Sequence, residues 1–132
     1  MIRGSILGDM RLFPALILLS LPAFGDTGAR LDWIRKIGSG QEFYAGFGTD
    51  AQGNLYIAGN TRAADFPVKS PVQPTFATTN ATDVFVVKLD SAGNVVYATC
   101  FGGTGEDAAS AIAVDKAGNV YVTGLTYSSD FP

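Results

Sequence analysis

Histidine is absent from the 132-residue sequence, and cysteine occurs once, at Cys100. A single cysteine forms no disulfide within its own chain, whatever the redox compartment. The thiol also lacks the histidine that often activates a reactive cysteine. In the segment VVYATCF, Cys100 falls in an alternating pattern. That pattern predicts a small buried strand residue rather than a nucleophile.

Charge is also scarce, since Asp, Glu, Lys and Arg make up 16% of the residues and the formal net charge is −3. No basic run occurs, so nucleic acids and anionic membrane surfaces are poor candidate partners. Hydrophobic residues make up 47% of the chain, and there are 16 glycines. This composition favours a sheet-rich globular protein over a disordered one.

Long hydrophobic runs are limited to residues 12–23, LFPALILLSLPA. About a dozen apolar residues are too few to span a bilayer, which needs roughly 20. Two arginines precede the run, and the small residues Ala23 and Gly25 occupy positions −3 and −1 of a cleavage site before Asp26. The pattern predicts a signal peptide over 1–25, hence export to an extracellular, cell-surface or periplasmic location, with no membrane span after cleavage. An uncleaved N-terminal membrane anchor is the alternative.

The sequence does contain an internal repeat. Residues 50–67 and 115–132 are identical at nine of eighteen positions, at a constant offset of 65 residues. Such a repeat indicates an array of similar structural units. The repeated residues that we expect to shape the fold are Asp50, Gly53, Asn54, Tyr56, Phe66 and Pro67, which recur as Asp115, Gly118, Asn119, Tyr121, Phe131 and Pro132.

The pentapeptide D-x-x-G-N occurs in both copies and a third time, at Asp90, Gly93 and Asn94. The aspartate starts a turn by accepting a hydrogen bond from the backbone two residues later. The glycine then takes a positive φ and rejoins the two strands of a hairpin. We therefore predict positive φ at Gly53, Gly93 and Gly118. A calcium loop is the alternative, but it needs several oxygen ligands, and each segment has one carboxylate.

Short runs rich in β-branched and aromatic residues lie between the turns, and none has helical periodicity. Several are apolar on both faces, which requires sheets stacked against one another. The sequence therefore predicts an all-β fold of antiparallel four-stranded β-propeller blades, with fewer than two blades present in an incomplete toroid. The predicted strands cover residues 33–37, 43–49, 54–60, 84–89, 95–101, 108–114 and 119–125.

These strands divide into blades. Residues 43–101 are expected to form one complete blade, interrupted by an inserted loop at 68–81, and residues 108–125 to begin the next. Residues 33–37 would be an outer strand without a partner. Each Phe-Pro pair, Phe66-Pro67 and Phe131-Pro132, would place its ring in a crevice between blades, and its proline would end the strand. An exposed phenylalanine that contacts a ligand is the alternative.

The segments FVVKLDSAG, GGTGED, IAVDKAGNVYVTG and SSDFP, all within residues 83–132, resemble the SBBP (seven-bladed β-propeller) repeat family of exported bacterial proteins. A weaker copy lies at 33–67. The resemblance implies a toroid of antiparallel blades in a secreted or cell-surface protein, and it implies no catalytic residues. We therefore expect residues 26–132 to be a partial propeller, the N-terminal part of a longer protein. The missing blades would be supplied by that longer chain or by self-association.

Three functions are consistent with this sequence. The first is an exported binding or scaffold module that contacts an unknown extracellular ligand or protein through the loops at 68–81 and 102–107. The second is a truncated gene fragment without independent function. The third is a glycan- or ester-active enzyme with its site in a propeller channel. Glu106 and Asp107 are the only adjacent acidic pair, but neighbouring glycines explain them as turn residues. We predict no enzymatic activity, catalytic residue, cofactor or metal.

Overall fold

The computed structural model describes residues 16–19, 34–38, 41–73 and 81–132. All regular secondary structure in these ranges is β-strand, arranged in three antiparallel sheets. The same ranges contain no helix that is long and apolar enough to cross a membrane. The strands are β1 (Leu16–Leu19), β2 (Ile34–Ile37), β3 (Glu42–Thr49), β4 (Leu55–Thr61), β5 (Asp83–Leu89), β6 (Val95–Phe101), β7 (Asp107–Val114) and β8 (Val120–Thr126).

The largest sheet is a four-stranded meander in the order β3-β4-β5-β6. Ile57 pairs with Val87, and Val87 pairs with Ala98. These residues share one face of the sheet, because cross-strand partners point to the same side. The meander covers the stretch expected to form one complete blade. The all-β, four-stranded blade architecture is confirmed.

Strands β7 and β8 form a two-stranded sheet that repeats the β3–β4 hairpin. Both hairpins have a β-bulge at the same repeat position, between Tyr44 and Gly46 in the first and between Ala109 and Ala111 in the second. β7 packs beside β3 and β4. The Asn60 side chain joins the two sheets, since it accepts a hydrogen bond from the Ala109 amide and donates one to the Ala109 carbonyl. The β7–β8 sheet is therefore the start of a neighbouring blade.

The main core lies on the face of the four-stranded sheet that points away from β7. Phe85, Val87 and Leu89 of β5 are buried there with Ile57 of β4. Phe66, from the segment after β4, stacks on Phe85 with ring centroids 4.9 Å apart. Burying this many apolar side chains is the main favourable term for folding the blade, at about 1.5–3 kcal/mol for each large side chain.

Strand β2 covers part of this core. Ile37 is buried with the core residues, and the Tyr44 hydroxyl donates a hydrogen bond to the Ile37 carbonyl at 3.2 Å. At the other end of β2, Arg35 Nε donates to the Gly93 carbonyl at 2.9 Å. These contacts attach β2 to the sheet face without pairing it to a strand of that sheet.

The expectation that residues 33–37 lack a partner strand is wrong. β1 pairs with β2 over four residues, from Leu16 opposite Ile37 to Leu19 opposite Ile34. The partner comes from the segment predicted to be a signal peptide. An edge strand presents unpaired backbone groups that accept any extended apolar segment within reach. The predicted cleavage site, at residues 23–26, lies outside the described residues.

Candidate functional site

The three D-x-x-G-N segments form the same hairpin turn. In each, the aspartate Oδ1 accepts hydrogen bonds from the backbone amides two and four residues later, and Oδ2 accepts one from the asparagine side chain. The glycine φ angles are 76° at Gly53, 80° at Gly93 and 86° at Gly118, a region that glycine enters without steric cost. The turn residues are Asp50, Gly53, Asn54, Asp90, Gly93, Asn94, Asp115, Gly118 and Asn119.

This geometry explains why each turn needs its aspartate. The carboxylate oxygens are occupied by amide donors of their own turn, which is the Asx-turn arrangement rather than a ligand cage. Within the described ranges, no group of three or more His, Cys, Asp or Glu side chains is placed to hold a metal ion. The three aspartates therefore serve to close their own hairpins.

The first turn is distinguished by burial of its aspartate. The Tyr56 hydroxyl donates to Asp50 Oδ2 at 3.0 Å, and Lys88 Nζ lies 3.7 Å from the same oxygen. Lys88 Nζ also sits 4.8 Å from the centre of the Tyr56 ring. Burial opposes ionisation of Asp50, but hydrogen bonds from Asn54 and Tyr56 outweigh it and lower the pKa to about 2. The contacts of Lys88 with Asp50 and Tyr56 thus connect β5 to the turn between β3 and β4.

The two Phe-Pro pairs occupy equivalent places with different surroundings. Phe66 is 3% exposed and stacks on Phe85, whereas Phe131 is 41% exposed and contacts Phe101 edge-on with centroids 6.2 Å apart. Both rings pack where two layers meet. Pro67 and Pro132 follow them outside any strand. The lower burial of Phe131 reflects the absence of a Phe85 counterpart in the β7–β8 sheet.

A group of loops gathers at the end of the blades where β5 and β7 begin, and we call it the loop cluster: Arg62, Thr82, 102–107 and 127–130. Thr104 donates to Asp130 Oδ1 through its amide at 2.8 Å and its hydroxyl at 2.9 Å. The Gly105 amide donates to Ser128 Oγ, and Ser128 Oγ donates to Asp107 Oδ2 at 2.7 Å. These bonds hold the predicted binding loop 102–107 in one conformation.

The adjacent acidic residues Glu106 and Asp107 have separate environments. Glu106 is exposed, pairs with Arg62 at 3.4 Å, and accepts a hydrogen bond from the Thr82 amide at 3.2 Å. Hydrogen bonding to Thr82 lowers the pKa of Glu106, and the Arg62 charge lowers it further. Asp107 is fully buried. An acid–base pair needs two carboxyl groups that face one reaction space, whereas Glu106 faces solvent and Asp107 is buried.

A different carboxylate approaches Asp107. Asp83, at the start of β5, is 3% exposed, and a side chain added to Gly102 would meet both Asp83 Oδ1 and Asp107 Oδ2. Among the described residues neither Asp83 Oδ1 nor Asp107 Oδ1 has a hydrogen-bond partner. Burial, with the negative charges of Asp107 and Glu106, raises the pKa of Asp83 to about 6.

The first part of the inserted loop lies against the outer edge of β6. Lys69 and Ala98 exchange backbone hydrogen bonds at 2.8 and 3.0 Å, and the Val72 amide donates to Thr99 Oγ1 at 3.0 Å. The loop therefore covers backbone groups that an edge strand would otherwise expose. Residues 74–80, the middle of the predicted loop 68–81, lie outside the described residues.

Cys100 is buried in β6 within the main core. Burial, with the nearby negative charges of Asp83 and Glu42, raises the pKa of its thiol to about 12. Because the thiolate is the nucleophile, burial and the raised pKa both disfavour reaction at Cys100.

Sequence analysis did not assign a role to Asp83, Thr82 or Arg62. Thr82 and Arg62 belong to the loop cluster, and Asp83 begins β5 at the same end of the blades. The sequence did contain one signal for acidic residues at this end of the blades. Glu42 and Asp107 are separated by the repeat offset and begin the equivalent strands β3 and β7. A carboxylate at the start of an apolar strand, in two copies, marks a position where the fold needs an acceptor at the blade end.

Residues 96–132 match the family model described as a β-propeller repeat, SBBP. The match covers nearly all of β6, the whole of β7 and β8, and the loops that connect and follow these strands. It confirms the resemblance over that segment. No curated protein matches the chain.

Proposed function

We propose that this chain, with its β-propeller repeat at residues 96–132, is an exported binding or scaffold module rather than an enzyme. The observation that carries the proposal is the loop cluster, whose residues are fixed by hydrogen bonds yet partly exposed to solvent. Recognition residues are commonly placed on loops that a rigid scaffold positions. Here the scaffold is the four-stranded blade with the start of its neighbour.

The exposed polar side chains of the cluster include Arg62, Thr104 and Glu106. Arg62 lies across Thr82 and Glu106, where Nε donates to Thr82 Oγ1 at 2.8 Å. An extracellular ligand or protein with both hydrogen-bond donors and acceptors would complement this surface, because a guanidinium only donates and a carboxylate only accepts. No nucleic acid is expected to bind, since the chain carries a net charge of −3 and no basic patch.

A non-enzymatic role is supported by the chemistry of the acidic groups. Glu106 is held ionised by its partners, and the Cys100 thiol is buried with a raised pKa. Asp83 has a raised pKa but sits inside the protein beside Gly102, without access to a substrate. General acid–base catalysis requires a titrating group within reach of the reacting bond.

A binding screen tests the proposal. The immobilised full chain is presented with a panel of extracellular polysaccharides and secreted proteins, and binding is read by surface plasmon resonance. For any ligand found, the variant carrying Arg62→Ala and Glu106→Ala is expected to bind at least fivefold more weakly. Lys116→Ala, in the exposed turn after β7, serves as the matched control and should bind as the wild type does. Equal loss in both variants would place the binding surface elsewhere.

Export is tested separately. The chain is expressed in a bacterium with its own N-terminus, and cell fractions are analysed by N-terminal sequencing. We expect the protein outside the cytoplasm, beginning at or near Asp26. Protein that retains Met1 in the cytoplasmic fraction would contradict export without affecting the binding proposal.

A further inference from the structure

Two buried carboxylates, those of Asp83 and Asp107, lie where the two sheets meet. Asp83 begins β5 of the four-stranded sheet, and Asp107 begins β7 of the neighbouring sheet. The Asp107 amide donates to the Thr82 carbonyl at 2.8 Å, so the backbones at the two strand starts are adjacent. Asp83 is 3% exposed and Asp107 is 0% exposed. Aspartates are almost never buried so completely unless they are paired with another group.

The two carboxyl groups approach the same side of Gly102. A Cβ added to Gly102 would lie 2.4 Å from Asp83 Oδ1 and 2.8 Å from Asp107 Oδ2. Two oxygens this close to one point are near enough for a single calcium ion to contact both, since calcium–oxygen distances are about 2.3–2.6 Å. A side chain at residue 102 would collide with both carboxylates, and glycine avoids the collision.

The described protein groups satisfy these carboxylates only in part. Asp83 Oδ1 and Asp107 Oδ1 have no hydrogen-bond donor among the described residues. Asp107 Oδ2 accepts from the Gly103 amide and from Ser128 Oγ, both at 2.7 Å. These two donors fix the orientation of the Asp107 carboxylate. A buried oxygen without a donor indicates that an ion, a ligand or a water molecule belongs beside it.

The charges around the two aspartates favour a cation. The negative charges of Asp107 and Glu106, together with burial, raise the pKa of Asp83 to about 6. Arg62 pairs with Glu106 instead of with a buried carboxylate. Among the described residues, no lysine or arginine forms an ion pair with Asp83 or Asp107. At neutral pH two negative charges therefore lie together away from water, and a divalent cation between them would neutralise both.

The ligand atoms at this position select the kind of cation. Carboxylate and carbonyl oxygens suit calcium and magnesium, whereas zinc binds nitrogen and sulfur ligands more often, and the chain has no histidine. Magnesium gives up its bound water reluctantly, which binding between two buried side chains requires. Calcium is therefore the cation that fits these residues best.

We propose that Asp83 and Asp107 bind one calcium ion between the four-stranded sheet and the β7–β8 sheet. Backbone carbonyls and water complete its coordination, because calcium takes six to eight oxygen ligands. The ion connects the two sheets beneath the loop cluster. Because two carboxylates are fewer than in tight calcium sites, the affinity is low, with a dissociation constant of about 10⁻⁴–10⁻³ M, as in extracellular modules. This inference goes beyond the proposed function and departs from the sequence-based prediction that the chain binds no metal.

Thermal unfolding of the full chain in EDTA and in calcium tests the site. At pH 7.5, 10 mM CaCl₂ should raise the melting temperature by about 5 °C or more relative to EDTA, since a ligand that binds only the folded state stabilises it. Isothermal titration calorimetry should give one calcium ion per chain with the dissociation constant stated above. MgCl₂ at the same concentration controls for ionic strength and should raise the melting temperature by less than half as much.

Asparagine substitutions distinguish a calcium ligand from an aspartate with a purely structural role. Asp83→Asn removes one of the two buried charges, so this variant should melt at a higher temperature than the wild type in EDTA at pH 7.5. It should nevertheless bind calcium at least about tenfold more weakly, because the charge of the ligands sets the affinity. Asp107→Asn should lose the response to calcium in the same way. Asp115→Asn, in the turn between β7 and β8, is the matched control and should keep the full calcium-induced rise.

Three results would overturn the proposal. The first is an unchanged melting temperature in 10 mM CaCl₂, and the second is an equal rise with magnesium. The third is an undiminished calcium response in Asp83→Asn, which decides the matter even if Asp107→Asn does not fold. Loss of the calcium response in Asp115→Asn alone would place the ion at the D-x-x-G-N turn and would equally contradict a site at Asp83 and Asp107.

Discussion

Asp83 and Asp107 show how a single residue position can carry an electrostatic cost inside a blade. Each begins a strand, each is buried, and one oxygen of each lacks a hydrogen-bond donor among the described residues. Arg62, the one cation of the loop cluster, contacts Glu106 and Thr82 instead. Burial therefore favours the protonated form of the Asp83 carboxyl.

The raised pKa of Asp83 makes the stability of the fold depend on pH. The folded-state pKa of Asp83 is about 6, above its ordinary value of 3.8. The folded protein therefore holds the proton more tightly than the unfolded chain, and stability is lost as the pH rises from about 4 through about 6. We expect the melting temperature to fall over this window. Asp83→Asn should flatten the fall and raise the melting temperature at pH 7.5.

Asp90→Asn should have the opposite effect on stability to Asp83→Asn, because the pKa of Asp90 is shifted in the opposite direction. Hydrogen bonds from the Asn94 amide and side chain lower the pKa of Asp90. The ionised form of Asp90 therefore stabilises the fold at neutral pH, and that contribution is lost on acidification. Asp90→Asn should lower the melting temperature at pH 7.5. If Asp83→Asn also lowers the melting temperature at that pH, our account of Asp83 is wrong.

Gly53 isolates the cost of a positive φ, because a Cβ added there meets no atom within 4 Å. Gly53→Ala should therefore destabilise the protein by about 1 kcal/mol through backbone conformation alone, and Gly53→Val by roughly 1–2 kcal/mol. Gly53→Asn should recover most of the loss, since asparagine tolerates the left-handed region. Urea denaturation measures the three values, and equal losses for alanine and asparagine would contradict this explanation.

At the scale of the element, strand periodicity predicted most of the blade. The predicted strands 84–89 and 108–114 each begin one residue after the observed β5 and β7. The residues left out are Asp83 and Asp107, because a buried carboxylate does not follow an alternating apolar pattern. The bridge between Lys69 and Ala98 was also not predicted, since it joins a loop to a strand edge through backbone groups.

The repeated Phe-Pro elements differ in what they stabilise. Phe66 is packed into the main core, so Phe66→Ala should destabilise the blade by about 3 kcal/mol or more. Phe131 is less buried, and Phe131→Ala should cost less than about 1.5 kcal/mol. Chemical denaturation of both variants checks this. Equal losses would contradict the difference in burial between the two rings.

At the scale of the whole molecule, the sheets leave apolar surface without cover. Phe43, Phe47, Leu125 and Tyr127 are all well exposed, and exposed apolar residues next to an unpaired strand edge favour association. Removal of residues 1–25 would also remove β1, the partner of β2.

We therefore expect residues 26–132 to form oligomers or aggregates at micromolar concentration, to a greater extent than the full chain. Analytical ultracentrifugation of both proteins measures the difference. A compact monomer of residues 26–132 with one cooperative unfolding transition would contradict the expectation.

The equivalence of the β3–β4 and β7–β8 hairpins also has a consequence for symmetry. Both hairpins have the same pairing and the same bulge position, so one rigid movement relates the first to the second. If similar units follow one another by the same movement, they advance around a single axis. A pure rotation then closes a ring whose number of units is set by the angle between neighbouring hairpins, and a rotation with a translation along the axis produces an open spiral.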